Sequence, residues 1–177
     1  MLARVRLQFG MVDASSPISN EGAPASKPPP RNVTPFSEAE FEAQRPVLLA
    51  GVAQYNDGYF FEAHETWEDL WRPSPYPQRT FLQGLIQMAA AFVHLARHEY
   101  PGTIGLLDAA LEKLAGVPDA YLGIDAGRLR DEAGRARDEL AALGPERFES
   151  WDRDHLPRIH VVETPRAGRG RKRRGAS

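Results

Sequence analysis

An imidazole and a carboxylate one helical turn apart can grip a divalent cation or work as an acid–base pair, and His64 and Glu68 stand at that spacing. Glu65 directly follows His64, as the general base follows the first ligand in zinc-protease helices. The segment HETWE has Glu68 where that motif needs a second histidine. A helical wheel also turns Glu65 about 100° away from His64. On the same wheel Phe60, Phe61, Trp67 and Trp71 all fall within about 60° of His64. The expectation is that these aromatics are core and draw His64 and Glu68 in with them, where a carboxylate must be paired or hydrogen-bonded.

The next helical segment carries a second unusual feature. Phe81, Leu85, Met88, Ala89, Phe92 and Ala96 form its apolar arc. Opposite lies a stripe of Gln83, Gly84, Gln87, Ala90, Ala91, His94 and His98 that holds no Lys or Glu. Its small residues suit close approach by another helix, so the stripe is expected to be buried, with His64 and Glu68 as partners for Gln87 and His94. Burial against a second copy of the chain, a homodimer through this stripe, satisfies the same geometry. The catalytic candidates are therefore His64, Glu65, Glu68, Gln87 and His94, and the metal-ligand candidates His64, Glu68 and His94. A divalent metal is the one cofactor such a set suggests. The alternative is a hydrogen-bonded polar cluster that fixes the packing register of two helices, and this is the preferred reading.

The elements that must position these residues are helices. Ser37 with Glu40 makes a capping box, and Pro46 should break or restart the helix it opens. Apolar spacing continues through Val47, Leu48, Val52 and Tyr55 to a turn at Asn56-Asp57-Gly58. Further helices are expected over 59–71, over 78–97, from Ile104 after a turn at Pro101-Gly102 to about Gly116, and from an Asp125 cap to Gly144. The last is heavily charged, with a thin stripe of Leu129, Ala133, Ala136 and Leu140, and should lie over the bundle as a lid. In the stretch 146–163, Ile159, His160, Val161 and Val162 could form a short extended piece. Trp151 near Phe148 reads as a packing anchor, and His98, His155 and His160 as surface histidines. No run alternates with period two for long enough to argue a sheet. The fold expected is all-α, a compact array of about five antiparallel helices.

Composition bounds the rest. The 177 residues suffice for one domain and include no cysteine, which excludes disulfides, thiolate metal sites and cysteine nucleophiles. No apolar stretch reaches bilayer length, so a soluble, cytoplasmic protein without membrane partners is expected. Residues 1–35, rich in Pro, Ser, Ala and Gly, and 164–177 are expected to be disordered, flanking a helical domain over 36–163. The tail 164–177 carries six basic residues and no acid, and 1–35 carries four basic against two acidic. With a total of −2, the domain between them holds −10. Attraction to a polyanion such as nucleic acid would belong to the tail, by charge alone.

The segments NDGYFFEAHETWEDLWR, RTFLQGLIQMAAAFVHL and GTIGLLDAALEKL together resemble the family called domain of unknown function 309, over about Val47 to Leu114. The residues that carry the likeness are Gly58, Phe61, Glu62, His64, Glu65, Glu68 and Trp71, then Gln83, Gly84, Leu85, Ile86 and Gln87. The resemblance implies a compact all-helical fold and a small cytoplasmic protein, with no established activity, cofactor or partner. Thr66-Trp67 stands where relatives often carry a small aliphatic residue after His-Glu, which argues against an open cavity there. The first reading of function is an interaction or scaffold module with a structural polar cluster. The second is a hydrolase or metal-binding enzyme using His64 and Glu68.

Overall fold

The computed structural model describes residues 37–162. The two segments expected to be disordered lie outside the described residues. Within them the chain is a helical array: α1 (Glu38–Ala43), α2 (Arg45–Asn56), α3 (Phe60–Trp71), α4 (Gln78–Ala96), α5 (Tyr100–Ala115) and α6 (Ala126–Leu143). None of these helices is long and apolar enough to cross a membrane.

Local chemistry sets most helix ends where the residues suggest. The Ser37 hydroxyl accepts from the Glu40 amide while the Glu40 carboxylate accepts from Ser37, a complete capping box. Pro46 stands in the first turn of α2, where a missing amide donor costs nothing. Gly58, at φ 87°, closes the turn between α2 and α3. Asp125 caps α6 by accepting from the Arg128 amide, and Gly144 ends it at φ 70°. One turn lies elsewhere than expected. Pro101 and Gly102 are already inside the first turn of α5, and His98, at φ 62°, makes the reversal instead.

The core is built around α4, whose residues from Leu85 to Leu95 are all buried. It packs against α3 and α5, α2 packs on α3, and α6 lies against α5. Leu129, Ala133, Ala136 and Leu140 are the buried stripe of α6, as its lid role requires. The rotation of α3 differs from the wheel reading. Its buried residues are Phe60, Ala63, Trp67 and Leu70, an arc centred about 80° from His64. Trp67 decides this. Its wholly buried indole fills the place a side chain at Gly51 would take on α2, and its Nε1 donates to the Leu48 carbonyl at 3.2 Å. Burying Trp67 against α2 leaves His64 at the edge of the core and Glu68 beyond it.

A small sheet element escaped the period-two criterion. Ala120–Tyr121 (β1) and Ile124–Asp125 (β2) pair antiparallel around Leu122 and Gly123, both at positive φ, as a tight hairpin requires. Two-residue strands are too short to show alternation. The chain end adds a third edge: Val161 bridges Ile124, Asp125 donates to His160, and Val162 donates to Gly123. Residues 159–162 are thus the short extended piece. Asn56 holds the same segment from α2, its side-chain amide donating to the Ile159 carbonyl and accepting from the Ile159 amide at 2.8 and 2.9 Å. Phe148 and Trp151 are buried anchors, with Trp151 stacked on Phe92.

Candidate functional site

His64 lies on the α3 flank, its side chain 12 % exposed, stacked parallel to Phe61. Its Nδ1 meets Glu65 Oε1 at 3.1 Å, and its Nε2 lies 3.9 Å from Glu68 Oε1. Glu65 reaches the imidazole despite its wheel angle, because a glutamate side chain is long enough to curl back to its neighbour. Glu68, 32 % exposed, is held from the other side by Arg72, Nη2 to Oε2 at 3.0 Å. The result is a chain of polar contacts along α3, His64 between two carboxylates and Arg72 closing it.

Gln87 and His94 do not join this chain. His94 is buried, and its Nδ1 pairs with Glu99, across the turn into α5. Gly102 packs directly on the His94 ring, where a Cβ would come within 2.6 Å of Nδ1. Gln87 is buried as well, and neither its Oε1 nor His94 Nε2 has a hydrogen-bond partner among the described residues. The stripe is buried from Gly84 to His94 but not at Gln83 or His98, and the contacts at both ends of the buried part come from α5: Gly84 faces Leu114 and Lys113, and His94 faces Gly102. α5 already buries the face assigned to a homodimer, so no second copy is needed to cover it. Glycines on both helices, Gly84 and Gly102, let the two elements approach closely. The five candidates therefore divide between the α3 flank and the α4–α5 seam. Among the described residues, three or more metal-ligating side chains do not converge on one point.

Arg79 joins α3 to α4. It is buried, lies 3.9 Å above the Trp71 ring, and donates through Nη1 to the carbonyls of Trp71 and Arg72. It thus bonds the Arg72 carbonyl and joins the Ser74 amide on the Trp71 carbonyl at the end of α3.

A second polar site, missed in the sequence, lies between α6 and residues 154–160. This cleft of about 320 Å³ is lined on the α6 side by Arg128, Glu132, Arg135 and Glu139, and on the other by Asp154, His155, Arg158 and His160. Glu139 accepts from Trp151 Nε1 at 2.7 Å and pairs with His155 Nδ1 at 2.8 Å. Those bonds, His155 first, hold the Glu139 carboxyl below its ordinary range, and the same carboxylate raises the His155 imidazole. Glu132 accepts from Arg128 Nε at 2.7 Å and from the Arg158 amide at 2.9 Å. Burial opposes its ionisation, yet these bonds prevail and keep its carboxyl low. His98, the third histidine read as a surface residue, is exposed and pairs with Glu149. The signal for the cleft was the α6 spacing 128, 132, 135, 139, one polar stripe at helical repeat.

No curated protein matches the chain. Residues 48–106, from α2 into the first half of α5, match the model of domain of unknown function DUF309, a segment that includes the helices carrying His64, Glu68, Gln87 and His94.

Proposed function

We propose that the protein works by binding, as a helical interaction module, and that the polar residues of α3 and α4 serve packing and presentation. The observation that carries this is the division of the candidates. His94 is bonded to Glu99 at the turn into α5 and Gln87 is buried on α4, while His64 and Glu68 belong to a row of polar contacts on the flank of α3. On that outer side Glu62, Glu65 and Asp69 are exposed, with Glu68 half-buried behind them. The helical domain carries −10 overall, so the partner such a surface suits is a basic polypeptide segment. A labelled basic peptide titrated into the chain, read by anisotropy, tests this. A Glu62→Gln/Glu65→Gln/Asp69→Asn variant should bind at least about fivefold more weakly. Equal affinity for variant and parent would remove the reading.

The short row Glu65–His64–Glu68 favours a second reading, a divalent cation held on α3 in a hydrolase. Elemental analysis of chain purified without chelator separates the two. Stoichiometric metal that disappears in His64→Gln and Glu68→Gln would put chemistry in place of binding.

A further inference from the structure

We propose that the cleft between α6 and residues 154–160 binds a small oxyanion of phosphate size, independently of the α3 surface. Its volume, about 320 Å³, suits one compact polar group and little more. Three guanidinium groups and two imidazoles line it, and two of its three acids, Glu132 and Glu139, are engaged, Asp154 being the third. Glu132 is taken up by Arg128 and the Arg158 amide, and Glu139 by Trp151 and His155. Arg135 and Arg158 line the same cleft, and neither side chain has a carboxylate within ion-pair distance among the described residues.

Two planar forks without an ion-paired acid, in a concavity where two of the three carboxylates are already bonded, are donors suited to a tetrahedral or planar oxyanion. His155 strengthens the site, since Glu139, Asp152 and Asp154 all favour its protonated form. In that form it adds a positive charge to a lining of three arginines and three acids. On the inner side His160 is half-buried, with an enclosed Nε2 that lacks a partner among the described residues. The site is nonlocal by construction: Arg135 comes from α6 and Arg158 from the chain end, brought together only because Asn56 and β2 hold residues 159–162 in place.

The test is a titration of the full chain with inorganic phosphate, followed by the ring resonances of His155 and His160 and the Trp151 indole. Acetate serves as the planar monoanion control. Phosphate should shift these resonances saturably in the millimolar range, and acetate more weakly. In an Arg135→Gln/Arg158→Gln variant the apparent affinity should fall about tenfold or more. Both arginines are partly or largely solvent-facing surface residues, so the variant should keep the parent's circular dichroism and unfolding midpoint. The basic tail remains in both proteins, so its own attraction for phosphate cancels from the comparison. Shifts that never saturate, or an identical curve in the variant, would overturn the proposal.

Discussion

Glu139 bonds two groups of the chain end at once, the indole of Trp151 and the imidazole of His155, and its charge makes that attachment depend on pH. The carboxyl is held below its ordinary 4.5, so its contribution is present above that value and is lost as pH falls through the lowered one. The imidazole is raised above its ordinary 6.5, so its contribution is complete below 6.5 and is lost as pH rises through the raised value. Attachment of residues 146–162 should therefore be firmest between the two ordinary values. Amide protection factors across that segment, measured from about pH 4 to pH 9, should pass through a maximum there. His155→Gln should abolish the fall on the alkaline side and keep the acid one. A parent profile without an alkaline fall would show that the His155–Glu139 contact contributes nothing in solution.

Helices α2, α3 and α4 are fixed against one another by two side chains, Trp67 and Arg79. Gly51→Ala would drive a methyl group into the Trp67 indole, two of whose carbons would lie 2.6 and 2.7 Å away. Overpacking of this kind should cost about 1–3 kcal/mol in urea unfolding, with no change expected in helix content. Arg79→Met removes the guanidinium bonds to the Trp71 and Arg72 carbonyls, leaving Trp71 only the Ser74 amide, and the cation from the Trp71 face, and should cost about 2–3 kcal/mol. Arg79→Lys should recover only part of that, since an ammonium lacks the planar fork. A wild-type midpoint for Arg79→Met would deny the residue its capping role.

The same elements show what could be read from the chain. Ser37–Glu40, Asp125 and Gly144 mark helix ends through contacts within four residues, so their residue types suffice. A wheel gives angles on α3 but not which arc faces inward. That was decided by a glycine on α2, and the reading that centred on His64 was turned by about 80°. The charges of α6 gave no hint of a cleft because what faces them arrives about 20 residues later in the chain.

At the scale of the molecule, residues 146–162 close a fold that α2 to α5 leave open. Phe148, Trp151 and Ile159 are buried, with Trp151 stacked on Phe92 of α4 and Phe148 edge-on to Tyr100 of α5. The DUF309 match ends at residue 106, so this closure is supplied by chain outside the matched segment. Ending the chain at residue 145 would return three large apolar side chains to solvent at roughly 1.5–3 kcal/mol each, which together rivals the whole stability of a small domain. Such a truncation should lose cooperative thermal unfolding, whereas a chain ending at 162 keeps every contact described and should unfold at the parent's midpoint. Asn56→Ala removes only the paired hydrogen bonds to Ile159 and should fall between them, lowering stability by about 1–3 kcal/mol. If the 145-residue chain unfolded as cooperatively and at the same temperature as its parent, the C-terminal segment would be an appendage, and the helices would have to be stable without it.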